Sequence, residues 1–162
     1  MPSKQNRKPK SSEPQARHAA TPLVQTDLLG LLGYNLRRAY LPILAVFRER
    51  MAKFDLSPVD YTVLVLVRAN PDVNQKRLAR ALNIEPPNMT TLLDRLESRG
   101  LLARERASHD KRHQMLVLTT KGRAMCKAAE KVVARLEVDA APNLTKGERL
   151  EMMRLAQKIF LH

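Results

Sequence analysis

Three features of the sequence predict a mainly α fold. Two short helices are joined by a proline-marked turn, a basic hairpin follows them directly, and aliphatic helical stripes occupy both ends of the chain. Together they describe a winged helix-turn-helix over about residues 57–118, in which the wing is a small antiparallel β-hairpin. Helical segments over about 23–54 and 120–161 complete the fold. The chain has 162 residues, enough for one domain, and 44% of them are apolar. With no Trp, three Phe and three Tyr, the core must be aliphatic.

Taken in order, residues 1–22 are rich in Pro, Ser, Lys and Arg and hold almost nothing apolar. Such a segment cannot bury enough surface to offset its ordering entropy, so it is expected to be a disordered basic tail. From 23 to 54, Leu28, Leu32, Leu36, Ile43, Phe47, Met51 and Phe54 recur at helical spacings. Pro42 lies inside that run and predicts a kink near Tyr40-Leu41. In LSPVDYTVLVLVRANP, Ser57 suits an N-cap, Pro58 the first helical position and Asp60 the capping acid, while Asn70-Pro71 ends the helix. NQKRLARALNI reads as a short helix capped by Asn74, with Leu78 and Leu82 facing inward. The next helix is expected over Asn88 to Arg99, with prolines before it and Gly100 just past its end. LLARERA and QMLVLT would be the strands of the hairpin. Thr119 or Thr120 would cap the helix after it, and Thr145 with Glu148 forms a capping box for the last helix, about 145–161.

Composition excludes several function classes. The lone Cys126 rules out a disulfide framework and a cysteine zinc cluster, and it fits a reducing cytoplasm. No apolar run approaches the roughly 18 residues of a membrane span, so a cytoplasmic protein with no membrane partner is expected. No glycine-rich phosphate loop, nucleophile elbow or paired-carboxylate motif occurs, so an enzyme is not expected, nor a cofactor. His109 and His113 are four apart but fall in a predicted loop, so no metal site is expected. The net charge of +13 points to a polyanion as partner, through counterion release.

The site follows from the 88–99 helix. Met89, Leu92, Leu93 and Leu96 form its apolar face, which leaves Asn88, Thr91 and Arg95 opposite, with Pro87 and Thr90 at its start. Short polar groups followed by an arginine suit base edges and phosphates in a major groove. The hairpin tip offers Arg112 to a minor groove, where negative potential is concentrated. Asp110, two residues before it, would hold that guanidinium by a charge-assisted pair; Arg104, Arg106 and Lys111 would supply flanking phosphate contacts. Double-stranded DNA is therefore the expected partner. The aliphatic stripes Leu28, Leu32, Leu36 and Met125, Ala129, Val132, Leu136, with Leu155 and Ile159, exceed what so small a monomer can bury, so a homodimer with a helical dimerisation region is expected.

The segment LARALNI…NMTTLLDRLESRGLLARERASHDKRHQMLVLTTKG resembles the multiple-antibiotic-resistance regulator (MarR) family of winged-helix transcription factors. DRLESRGLL, the Asp-x-Arg wing and LTxxG carry the likeness; Lys111, where the family often has Arg, is a mild departure, and Pro42 in the first helix is a less usual one that would reshape the cleft. The resemblance implies a dimer on a pseudo-palindromic operator, joined through the first and last two helices. It also implies release by a small aromatic acid held between the dimer helices and the winged domain. The adjacent GYNLRRAYLP offers Tyr34, Arg37, Arg38 and Tyr40 for an aromatic carboxylate or its coenzyme A thioester. The expected function is a ligand-responsive repressor of a catabolic or efflux operon. The alternative is an architectural, weakly specific DNA-binding protein with no small-molecule effector.

Overall fold

The computed structural model describes residues 23–106 and 114–161. The basic tail and the hairpin tip lie outside the described residues. The observed order is α1 (Thr26–Leu29), α2 (Leu32–Met51), a 3-10 turn (Ala52–Phe54), α3 (Pro58–Ala69), α4 (Gln75–Leu82), α5 (Pro86–Ser98), β1 (Leu102–Arg106), β2 (Gln114–Leu118), α6 (Thr120–Asp139) and α7 (Lys146–Phe160). This is the mainly helical, winged arrangement that the sequence predicts.

One expectation at the amino end is corrected. The run 23–54 is not one helix: it breaks at Gly30-Leu31, where the Leu31 amide donates back to the Leu28 carbonyl and Leu31 is extended. The helical spacing of the leucines bridges the break and conceals it. Pro42, where a kink is expected, lies inside α2, which runs on past it to Met51.

Local chemistry sets the other boundaries. Ser57 and Asp60 form a reciprocal capping box at α3, with Pro58 at the first helical position. Asn74 caps α4 by accepting the Arg77 amide at 2.9 Å, and Asn83, with φ of 50°, closes it in the left-handed region. The start of α5 is a correction of two residues: Pro86 and Pro87 lie inside its first turn, where their missing N–H groups leave no donor unsatisfied. Gly100, at φ 67°, follows its end. Thr119 caps α6, and Thr145 with Glu148 makes the capping box of α7.

The core is aliphatic and continuous. Met51, Val63, Leu64, Leu78, Met89, Leu93, Leu96, Leu101, Cys126 and Leu136 are its most deeply buried side chains. α2 and α3 pack on α6, α4 packs on α5, and β2 lies against α3. The two strands pair antiparallel from Leu102 opposite Leu118 to Arg106 opposite Gln114. One further bond fastens the wing to the α3–α4 loop: the Leu116 amide donates to the Val73 carbonyl at 2.9 Å. Packing also corrects the α6 stripe, because Ala129 and Leu136 are buried within this one chain. The unsatisfied apolar surface lies elsewhere. Leu28, Leu32, Leu36, Leu155, Ile159 and Phe160 are all exposed, and α7 buries none of its residues.

Candidate nucleic-acid interface

Recognition begins with the helix that packs by one face and shows the other. Met89, Leu92, Leu93 and Leu96 are buried, which leaves Pro87, Asn88, Thr90, Thr91 and Asp94 exposed on α5. The two threonines are partly occupied. The Thr91 hydroxyl donates to the Pro87 carbonyl at 3.2 Å and that of Thr90 to the Pro86 carbonyl at 3.0 Å. Thr90 also accepts from the Gln75 side-chain amide at 2.7 Å. Each exposed threonine also carries a methyl group and keeps accepting capacity, the chemistry that a thymine methyl or a base amino group meets.

The arginines divide by job. Arg95 is half exposed, yet its guanidinium donates to the buried carboxylate of Asp60. Arg104, expected to contact phosphate, instead turns back to α5, where it donates to Asp94 at 2.6 Å and to Glu97. Between two carboxylates its charge is spent inside the protein, so it braces the wing against the recognition helix. Arg99 donates to the carbonyls of Asp55 at 2.6 Å and Phe54 at 2.9 Å. Arg106 is exposed at the outer end of β1. Asp110, Lys111 and Arg112, with His109 and His113, lie outside the described residues.

Three further basic side chains, beyond those the sequence pattern singles out, stand beside α5. Lys76, Arg77 and Arg80 are exposed on α4 beside the start of α5, and Gln75 joins them through Thr90. Their signal was present in NQKRLARALNI, where every residue off the Leu78–Ala79 face is polar or small.

The base of the wing explains its LTxxG signature. Thr119 Oγ1 accepts the Gly122 amide at 2.9 Å and donates to the Gly100 carbonyl at 2.7 Å. A Cβ on Gly122 would lie 2.0 Å from the Leu101 carbonyl oxygen, so glycine is the residue that lets α6 approach this closely.

The expected effector residues all lie on α2. Arg37, Arg38 and Tyr40 are exposed on α2, while Tyr34 is half buried with its hydroxyl turned to the Gln25 side chain. A cavity of about 780 Å3 opens nearby instead, lined by Ala39, Pro42 and Ile43 of α2 with the α6–α7 loop and the Met152 and Met153 side chains. None of the four residues lines it. Cys126 is fully buried, and burial pushes its thiol above the ordinary value, partly opposed by Arg68. Among the described residues no group of His, Cys, Asp or Glu could hold a metal ion. No helix among them is long and apolar enough to cross a membrane.

A helix-turn-helix with a hairpin stapled behind it defines a winged-helix DNA-binding protein. The MarR family model matches residues 56–114. The transcriptional repressor CouR, solved on a 23-mer DNA duplex, is 38% identical, with 86% of this chain and 99% of that one covered and a TM-score of 0.79. CouR bound to p-coumaroyl-CoA is likewise 38% identical, covers 87% of this chain and 100% of its own, and gives a TM-score of 0.77. An HTH-type transcriptional repressor of Mycobacterium tuberculosis is 28% identical over 128 residues, 79% of this chain and 92% of its own. A regulatory protein for the hcr operon of Thauera aromatica is 26% identical over 139 residues, 85% of this chain and 84% of its own. The chain belongs to the MarR family and is a transcriptional repressor of that type. The family's members are regulators and not enzymes.

Proposed function

We propose that the chain acts as a homodimer on a pseudo-palindromic operator and is released from it by an aromatic acyl-CoA or the parent aromatic acid. The repressed operon would then be a catabolic or efflux operon for such compounds. The effector reading is carried by the likeness to CouR, whose structure with p-coumaroyl-CoA aligns over 87% of this chain. Exposed Arg37 and Arg38 on α2 support it as partners for the anionic groups of such a ligand, with Tyr34 and Tyr40 flanking them. In the operator, Pro87, Asn88, Thr90 and Thr91 would meet base edges, while Lys76, Arg80 and Arg106 contact phosphates. Arg112 would enter the minor groove, oriented by Asp110, with Lys111 beside it on the backbone.

The dimer would cover the exposed apolar side chains of α1, α2 and α7, including the cavity beside Pro42. Effector release needs only a difference in affinity between two arrangements of that dimer. A preference of ~3 kcal/mol weakens operator binding about a hundredfold.

The test is a footprint on the intergenic DNA flanking the gene, followed by titration with p-coumaroyl-CoA and p-coumarate. A short dyad-symmetric protected site, lost on adding either compound, is expected. Uniform protection of any duplex, unaffected by both compounds, would establish an architectural DNA-binding protein instead. Calorimetry on Arg37→Ala and Arg38→Ala tests the effector site, since an affinity unchanged in both variants removes these arginines from it.

A further inference from the structure

Two kinds of contact hold α5. Its buried face of Met89, Leu92, Leu93 and Leu96 resists separation, but apolar contacts are non-directional and fix the rotation of a helix about its axis only loosely. A directional constraint comes from Asp60, the one buried charged residue among the described residues, 3% exposed. Its carboxylate oxygens are divided. Oδ2 accepts the Ser57 amide at 2.9 Å, completing the α3 capping box, and Oδ1 accepts from the Arg95 guanidinium.

The capping box needs only the first of these bonds. A carboxylate withdrawn from water is stable only when both a countercharge and its hydrogen bonds are in place. Asp60 therefore demands Arg95 at one position, and with it one orientation of α5. Arg99, one helical turn on and on the same side, grips the carbonyls of Phe54 and Asp55 just before α3. The two arginines thus pin the recognition helix to a single short stretch of chain, residues 54–60.

We propose that Asp60 is a positioning residue for sequence recognition. Acting through Arg95, it sets the rotation of α5 in the major groove and so decides which of Pro87, Asn88, Thr90 and Thr91 meet base edges. The inference rests on the base-reading role of α5 proposed above and adds the residue that aims it. Arg95 is then a pin and not a reader. Phosphate contacts carry no sequence information, so Asp60 governs discrimination between sequences and leaves gross affinity for DNA alone.

The experiment enriches a binding site from a pool of random duplexes with the full wild-type chain. Affinities for that site and for a scrambled duplex of equal length are then compared among wild type, Asp60→Asn, Arg95→Gln and the double variant. Asparagine keeps an oxygen for the Ser57 amide and removes the charge. Each single variant should lower the ratio of specific to scrambled affinity by about tenfold, within the worth of one good base contact. The double variant should lower it no further, because both changes break one interaction. Affinity for the scrambled duplex, and its salt dependence, should stay as in wild type. Arg95 is half exposed, so Arg95→Gln reads the latch even if Asp60→Asn fails to fold. Single variants that keep the wild-type ratio overturn the inference, as do losses that add in the double variant. A wild-type chain that enriches no site overturns the operator reading, and this inference falls with it.

Discussion

At the scale of single residues, the least replaceable position is one without a side chain. Gly122 brings α6 against the Leu101 carbonyl, and an added methyl group would need backbone, not a flexible side chain, to move. Gly122→Ala should therefore cost about 1–3 kcal/mol, in the range of overpacking, despite alanine's better helix propensity. Chemical denaturation of the two proteins side by side measures it, and an unchanged or raised stability would refute the close approach. Cys126 gives the opposite kind of prediction. Burial holds its thiol above the ordinary value, so at neutral pH little thiolate exists and no reagent reaches it. A thiol reagent should label the native chain far more slowly than the denatured one, and DNA binding should be insensitive to mild peroxide. Rapid native labelling would instead show an accessible, reactive thiol.

Elements were legible where their signals are local. Ser57, Asn74, Thr119 and Thr145 each cap a helix by reaching three residues along the chain, so spacing alone announces them. The break at Gly30-Leu31 was not legible, because leucines at helical spacing continue across it. Ion pairing was not legible either. Asp60 meets Arg95 across 35 positions, and Arg104 chooses between solvent and α5 only once the hairpin has folded back. The sequence shows an arginine's charge but not where that charge is spent. The difference is measurable at the wing. Arg104 lies between Asp94 and Glu97, so Arg104→Ala should lower stability by about 1 kcal/mol, a modest figure because both partners are partly solvated. It should leave the salt dependence of DNA binding unchanged. Lys76→Ala and Arg80→Ala should each reduce that slope by about 0.9, the share of one released counterion. If Arg104→Ala lowers the slope as well, it contacts phosphate after all and its brace opens on DNA.

At the scale of the whole molecule, one chain leaves too much apolar surface in water. Leu28, Leu32, Leu36, Leu155, Ile159 and Phe160 are exposed together with the methionines of α7, although the same chain buries the α6 stripe completely enough to hide Ala129 and Leu136. Large apolar side chains exposed in such number are what an interface would cover. The proposed dimer answers it, and because α7 buries nothing in its own chain, its helix should depend on the partner for its packing. Sedimentation at micromolar concentration should accordingly give twice the 18.4 kDa chain mass. Placing a charge in the middle of the face, as in Leu155→Asp, should yield a monomer, since a buried unpaired carboxylate costs more than the interface returns at that point. That monomer should keep its α3–α5 core, because none of those buried side chains comes from α7. Its operator affinity should nevertheless collapse towards that for scrambled DNA. Two recognition helices about 34–36 Å apart can read both half-sites at once, and one alone cannot. Native mass and half-site binding measured on the same variant decide the matter. A monomeric Leu155→Asp that still protects both half-sites with wild-type affinity would mean that the apolar face serves something other than dimerisation.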